Sequence, residues 1–162
     1  MRELLQDAIL INNQTNPLSC AQIAMVTDLY FKDLLGEDDC AKLVSLPEWF
    51  GELTALQKLT LGERYDWGCR SLTTLPDSFG GLTGLQKLDL AGSSRLMTLP
   101  DSFGELTGLQ TLDLAYCSSL TTLPDSVGGL TGLQTLNLRW CSVVRLLPDI
   151  FGGLTGDRKS VV

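Results

Sequence analysis

The chain has 162 residues, 44% of them hydrophobic, and a formal net charge of −7, which is the balance of one soluble globular domain. This acidic chain lacks the basic surface that supplies most of the affinity for DNA or RNA, so no nucleic-acid partner is expected. The sequence contains no histidine, the commonest general base and the usual zinc ligand, so we expect no enzyme activity, no catalytic residues, no cofactor and no metal ion.

Residues 1–25 begin the chain with apolar side chains at near-helical spacing. These are Leu4, Leu5, Ala8, Ile9 and Leu10. The spacing predicts a helical N-terminal cap over residues 1–25. Glu3, Gln6 and Asp7 interrupt the apolar run that a signal peptide would need, and no stretch approaches the roughly 18 apolar residues of a membrane-spanning helix. We therefore expect a cytoplasmic protein with no membrane partner.

A repeat of 24 residues organises most of the remaining chain, and its leucines recur at Leu75, Leu99, Leu123 and Leu147. The regular copies run from Leu72 onward and read LTTLPDSFGGLTGLQKLDLAGSSR, LMTLPDSFGELTGLQTLDLAYCSS and LTTLPDSVGGLTGLQTLNLRWCSV. The block around Leu46 and Pro47 is the same unit with a longer loop behind it, and a weaker copy is predicted at Val26 to Phe31.

Each copy is predicted to fold as one short strand and one return segment. Leu112 and Leu114 alternate with Thr111 and Asp113, so the leucines should point inward and the polar residues outward. The LPDSFGGLTGL half has a proline that cannot donate to a sheet, followed by turn residues, and should form a tight turn or a short helical stretch. Because one unit cannot bury its leucines alone, the units should stack into a curved α/β solenoid with about five strands in a parallel concave sheet over residues 26–156.

This pattern resembles the leucine-rich-repeat family over roughly residues 26–156. The cysteine at the ninth position and the LP pair that opens the return half resemble the repeats of plant intracellular nucleotide-binding immune receptors, and similar repeats occur in proteins of algae and other microbes. The chain has no Walker-type G-x-x-x-x-G-K-[ST] loop, so the nucleotide switch of those receptors is not implied. The resemblance implies a solenoid that binds a protein partner.

Four of the five cysteines share one register of the repeat. Counting back seven residues from each LP proline reaches Cys40, Cys69, Ser93, Cys117 and Cys141. The resemblance implies that this position turns into the core and bonds the backbone of the neighbouring coil, and a thiol can do so while packing as a small hydrophobe. A metal or redox site is the alternative, but the chain has no C-x-x-C pair. We expect reduced structural thiols rather than a disulfide framework.

Two insertions lengthen the loops that leave the predicted sheet. They cover residues 32–39 and 62–68 and emerge at the same edge, and insertions in repeat proteins often mark the binding side. Glu37, Asp38 and Asp39 lack the D-x-D-x-D-G spacing of a calcium loop, so a solvated acidic loop is expected there.

Outward-facing strand residues should form columns, because parallel strands in register place equivalent residues side by side. The predicted columns are Tyr30, Thr60, Asp89, Asp113 and Asn137; Asp28, Lys58, Lys87, Thr111 and Thr135; and Lys32, Gly62, Ala91, Ala115 and Arg139. Asp89 beside Asp113 is a like-charge pair, but an open sheet gives these carboxylates no pocket in which to act as a general acid and base.

At the strand exits, Tyr116 and Trp140 should be adjacent, with Arg139 beside them. Tyr, Trp and Arg are the types that most often carry binding energy at protein interfaces. The alternative is that these aromatic residues pack on neighbouring loops and cover the core. The candidate protein-binding residues of the sheet and this edge are Tyr30, Lys58, Glu63, Tyr65, Trp67, Lys87, Asp89, Asp113, Tyr116, Asn137, Arg139 and Trp140.

The repeat pattern stops after Leu154, and residues 157–162 are predicted to form an uncapped tail. An open sheet edge around Leu133 to Phe151 would allow a homo-oligomer to form through the C-terminal strand. The sequence therefore predicts a protein-binding scaffold, with a self-associating structural module or a regulatory part of a larger receptor or enzyme as the alternatives.

Overall fold

The computed structural model describes Ser19, Gln22 and residues 25–63, 67–141 and 160–161. Most of the predicted cap over residues 1–25 lies outside them. Short strands form one parallel sheet, and their bounds are β1 Asp28–Tyr30, β2 Lys58–Thr60, β5 Lys87–Asp89, β6 Thr111–Asp113, β7 Thr135–Asn137 and β8 Ser160–Val161. They lie side by side in this same order.

The strand register follows the repeat. Leu29, Leu59, Leu88, Leu112 and Leu136 are aligned across the sheet. All of them are buried, because side chains alternate between the two faces of a strand and this face meets the core. Two of the predicted columns, those that begin at Tyr30 and at Asp28, are confirmed residue by residue from β1 to β7.

The return segments are short 3₁₀-helices that each follow an LP proline. They are η1 Glu48–Glu52, η2 Asp77–Gly81, η3 Asp101–Glu105 and η4 Asp125–Gly129. The proline before each helix has a φ between −69° and −64°, which its ring imposes, and its carbonyl accepts the N–H three residues later at 3.0 Å. These helices pack on one another from coil to coil, so the fold is an α/β solenoid with a sheet on one side and short helices on the other.

Aromatic rings and leucines fill the space between the two sides. Phe79 stacks on Phe50 and on Phe103, with ring centroids 6.4 and 6.0 Å apart. Close contact between the coils depends on glycine at some positions. A Cβ at Gly104 would lie 2.2 Å from the carbonyl oxygen of Ser126 in the next coil, so no larger residue fits there without a backbone shift.

Both insertions fold into secondary structure. Residues 32–39 contribute to helix α1 (Phe31–Leu35) and helix α2 (Glu37–Lys42), whereas residues 62–68 contain an antiparallel pair, β3 (Gly62–Glu63) and β4 (Trp67–Gly68). Glu37 and Asp38 are exposed to solvent as expected, but the expectation that residues 37 to 39 form a loop was wrong. These acids form the first turn of α2, where the helix dipole favours negative charge, and Cys40 anchors the same helix in the core.

The C-terminal strand differs from the expected uncapped tail. Ser160 and Val161 pair with Thr135 and Leu136, so β8 occupies the edge of β7 that the sequence left open. The spacing from Thr135 to Ser160 is one residue longer than the repeat, and this shift gives Val161 the register of Leu136. Self-association through the bare β7 edge therefore has no support.

Candidate functional site

The carboxyl ends of the parallel strands form one edge of the sheet, which we call the strand-exit edge. It comprises the last residues of the strands, the described residues of the two insertions, and the loop residues Tyr116 after β6 and Arg139 and Trp140 after β7. Tyr30 and Arg139 are exposed there, and the side chain of Trp140 has 71% of its surface accessible. This edge carries most of the sequence-predicted contact residues.

Tyr116 and Trp140 have an unusual backbone. Both have φ of 62°, in the left-handed region, and Gly92 has φ of 78° at the equivalent place one repeat before Tyr116. The Gly92 and Tyr116 amides each donate to a carbonyl of the following coil, Ala115 O and Arg139 O, at 2.8 Å. The repeat thus requires a left-handed residue here, and glycine adopts it without strain whereas a side chain costs about 1–2 kcal/mol.

The rings of Tyr116 and Trp140 are stacked, which confirms that they are adjacent. Their centroids lie 6.2 Å apart and the planes are 14° from parallel. Tyr116 is half-buried whereas Trp140 projects into solvent, so the indole ring covers little of the core.

The column of Asp89, Asp113 and Asn137 holds the backbone of the strand exits. Each side-chain oxygen accepts the N–H two residues later, from Ala91, Ala115 and Arg139, at 3.0, 2.9 and 3.1 Å. Asn137 Nδ2 also donates to the second oxygen of Asp113 at 3.0 Å. These donors compensate for the neighbouring carboxylates, and Asp113, at 7% exposure, is a positioning residue for this edge.

The third predicted column, which begins at Lys32, does not form a continuous exposed surface. Ala91 and Ala115 are buried, because the chain turns inward directly after the strand and the Asp side chains fix that turn. Lys32 lies in α1, and the Cβ of any residue replacing Gly62 would lie 1.9 Å from the carbonyl oxygen of Ala91. Lys32 and Arg139 are the exposed residues of this column, and its other three members are buried.

The lysines that were predicted to contact a partner lie on the sheet face. Lys58 pairs with Lys87 in register and makes an ion pair with Asp28, with Nζ 3.2 Å from the carboxylate oxygen. Lys87 is exposed on β5. Of the candidates in the second insertion, Glu63 and Trp67 are paired across β3 and β4, and Tyr65 lies outside the described residues.

A cavity that sequence reasoning missed lies between the two insertions. It has a volume of about 590 Å³ and is bounded by α1 and α2 on one side and by β2, the β3–β4 pair and Arg70 on the other. Tyr30, Asp33, Glu37 and Cys40 contribute to its wall. Its walls come from two different coils of the chain, so the only advance signal was that both insertions leave the same edge.

The cysteine register forms two kinds of contact. Cys117 Sγ donates to Leu90 O at 3.3 Å and Cys141 Sγ to Leu114 O at 2.9 Å, which confirms the backbone ladder for these two. Cys40 and Cys69 instead contact each other, with their sulfurs 2.7 Å apart. These four cysteines are free thiols. Burial raises the pKa of Cys117 and of Cys141, so both are protonated and unreactive at neutral pH.

Two structural features bear on metals and membranes. Within the described ranges, no group of three or more Cys, Asp or Glu side chains is arranged to hold a metal ion. In that part of the chain, no helix is both long enough and apolar enough to cross a bilayer.

The family model for the Leucine Rich Repeat matches residues 108–130 and 132–154, which are the copies that contain β6 and β7. Two copies of the repeat in this chain therefore match the leucine-rich-repeat family. The finer resemblance to plant immune receptors stays a prediction. No curated protein matches the sequence.

Two solved structures are similar in part. The leucine-rich repeat domain of the type III effector XopL is 24% identical, with a TM-score of 0.48, over 73% of this chain and 56% of that one. A plant peptide hormone receptor, RGFR1 in complex with RGF2, is 27% identical, with a TM-score of 0.45, over 73% of this chain and 22% of that one. The chain thus spans about half the length of the first structure and about a fifth of the second.

Proposed function

We propose that this chain is a non-catalytic recognition scaffold that binds a protein partner with its sheet face and strand-exit edge. Leucine-rich repeats commonly serve protein binding, which supports the general role. The observation that carries the specific surface is the stacked pair of Tyr116 and Trp140, held in a left-handed conformation that glycine would adopt at lower energy.

The side chains at these two strained positions face outward rather than into the core. Residues in the left-handed region persist where the surrounding structure fixes their backbone, and such outliers cluster at active sites and ligand contacts. Trp140 buries little of its own surface, so its ring adds little to the hydrophobic stability of the solenoid. Exposed Arg139 lies directly before it and can pair with a carboxylate of the partner. A Trp, a Tyr and an Arg at one edge have the composition of an interface hot spot.

The sheet face supplies a second, charged part of the proposed surface. Lys58 and Lys87 are neighbours on β2 and β5, and Tyr30 and Asp28 lie at the first strand. Such charges steer association and fix the orientation of a partner more than they add affinity. Asp89, Asp113 and Asn137 act through the backbone turns that they hold. We also propose that the protein acts in the cytoplasm, which the free thiols support.

Peptide selection followed by variant binding tests this proposal. A phage-displayed library of random peptides would be selected against the immobilised full chain. Enriched peptides would then be measured against three variants: Tyr116→Gly with Trp140→Gly, Arg139→Glu, and Met97→Ala as the matched control. Met97 is also an exposed apolar side chain, but it lies before η3 instead of at a strand exit.

We expect the aromatic and arginine variants to lose most peptide binding and the Met97→Ala variant to retain it. Circular dichroism of each variant would establish that the fold is intact. Peptides that bind all of these variants equally would show that the strand-exit edge is not the contact surface.

A further inference from the structure

Cys40 and Cys69 are in sulfur-to-sulfur contact, unlike the other described cysteines of the same register. Their Sγ atoms lie 2.7 Å apart, whereas the sulfurs of a disulfide lie about 2.05 Å apart. Cys117 and Cys141 occupy the same register in two regular coils, yet each bonds a backbone carbonyl instead. The chain therefore holds one contacting thiol pair and one non-contacting pair that can serve as its control.

The two insertions explain this difference. Cys117 and Cys141 each follow a strand by four residues and sit in a tight turn, with their amides bonded to Leu114 O and Leu138 O. Cys40 instead belongs to α2, and Cys69 follows β4. The two thiols thus approach from two separately folded segments. Both residues donate to the same carbonyl oxygen, Leu61 O, the Cys69 backbone amide at 3.0 Å and the Cys40 thiol at 3.8 Å.

The two cysteines differ in their access to the cavity. Cys40, which is 6% exposed, is among the residues that line the cavity of about 590 Å³ between the insertions, whereas Cys69 is fully buried and is not among them. The hydrogen bond between the two thiols lowers the pKa of Cys40, and the same bond together with burial raises the pKa of Cys69. Because Cys40 also lines the cavity, we take it as the thiol that meets the oxidant first, in the thiolate form that reacts with oxidants.

We propose that Cys40 and Cys69 form a reversible modification site, at which a hydroperoxide converts the two thiols to a disulfide. The Cys40 thiolate attacks hydrogen peroxide, the O–O bond breaks, and the sulfur becomes a sulfenic acid while hydroxide leaves. The Cys69 sulfur then attacks Cys40 Sγ, the S–S bond forms, and the sulfenic oxygen departs as water with the Cys69 proton. In total, two thiols and one hydrogen peroxide give one disulfide and two waters.

The disulfide would join the two insertions covalently. It would tie α2 to the segment after β4, which are opposite walls of the cavity at the strand-exit edge. A small dithiol reductant would restore both thiols through thiol–disulfide exchange. The site thus links the redox state to the rigidity of the edge that we propose for binding, and it stands independently of that proposal.

Peptide mapping of the native full chain tests the site, because each of its five cysteines falls in a different tryptic peptide. The chain would be treated with hydrogen peroxide, quenched with catalase, alkylated under denaturing conditions without reductant, and digested. We expect peptide 33–42 linked to peptide 65–70, forming at least about tenfold faster than any link between 96–139 and 140–145, and disappearing after dithiothreitol. Free, alkylated Cys40 and Cys69 after treatment, or equally fast linkage of Cys117 to Cys141, would overturn the proposal.

Two variants test the order of the steps. With Cys69→Ser, the disulfide cannot form, so dimedone should trap the sulfenic acid on peptide 33–42. With Cys117→Ser as the matched control, the Cys40–Cys69 link should form at the wild-type rate. Dimedone labelling of 96–139 or 140–145 as strong as that of 33–42 would contradict the assignment of Cys40. If Cys69→Ser does not fold, the wild-type map alone decides.

Discussion

The left-handed backbone at Trp140 leads to a stability prediction with an unusual sign. We expect Trp140→Gly to be more stable than Trp140→Ala. Both variants remove the indole ring and its stacking on Tyr116, so these losses cancel in the comparison. Alanine keeps a Cβ at φ 62°, which costs about 1–2 kcal/mol, whereas glycine has none. Glycine loses about 0.5–1 kcal/mol through the greater freedom of its unfolded chain, which leaves a net advantage of about 0–1.5 kcal/mol with a central value of about 0.75 kcal/mol.

Arg139 provides the matched position, because it is also exposed at the strand-exit edge but does not have a positive φ. There we expect the ordinary order, with Arg139→Ala more stable than Arg139→Gly by about 0.5–1 kcal/mol. Urea-induced unfolding of the full chain, followed by circular dichroism, measures all four variants. If alanine exceeds glycine in stability by the same amount at position 140 as at position 139, the left-handed backbone of Trp140 costs nothing and the predicted strain is absent.

Three further predictions concern buried polar groups. Asp113→Ala should lower the free energy of unfolding by about 1–3 kcal/mol, because the Ala115 amide and Asn137 Nδ2 lose their acceptor, while Asp113→Asn should lower it less. Urea unfolding distinguishes the two variants, and equal losses would contradict the role of Asp113 in holding the turn. Forming the Cys40–Cys69 disulfide should raise the free energy of unfolding by about 3–4 kcal/mol for a loop of this length, and with it the urea midpoint. An unchanged midpoint of the oxidised chain would contradict a native-like link. Because burial raises the pKa of Cys117, the folded state keeps a proton that the unfolded thiol loses near pH 8.5. The stability that this group contributes is complete below that pH and falls by about 1.4 kcal/mol per pH unit above it. The free energy of unfolding of Cys117→Ala should therefore depend less steeply on alkaline pH than that of the wild type, and an identical slope would count against a buried neutral thiol.

The repeat made the sheet predictable from sequence. Its constant spacing fixes which residues align once one strand is placed, so the Tyr30 and Asp28 columns follow from counting. The neighbouring rings of Tyr116 and Trp140 follow from the same count. Turn chemistry was harder to see, because an Asp at a strand end can point into solvent or accept a nearby amide, and the alternation of side chains does not distinguish these. Gly92 was the available signal for the left-handed position.

The features that sequence reasoning missed depend on contacts between irregular segments. The cavity and the Cys40–Cys69 contact both arise because α2 and the β3–β4 pair meet, and neither segment follows the repeat. The acidic run at Glu37 to Asp39 was predicted to be a loop, because charge alone cannot show that it begins a helix anchored by Cys40. The place of β8 was missed because its spacing from β7 departs from the repeat by one residue.

The affinity of a selected peptide for the wild-type chain and for the Tyr116→Gly, Trp140→Gly variant tests the proposed recognition surface most directly. Fluorescence anisotropy with one labelled peptide gives both dissociation constants, and Met97→Ala is measured beside them. Loss of an aromatic hot spot of about 2 kcal/mol or more should weaken binding at least about thirtyfold, with Met97→Ala unchanged and the folded state retained in both. Equal affinity for the aromatic variant and the wild type would contradict a protein-recognition role for the strand-exit edge.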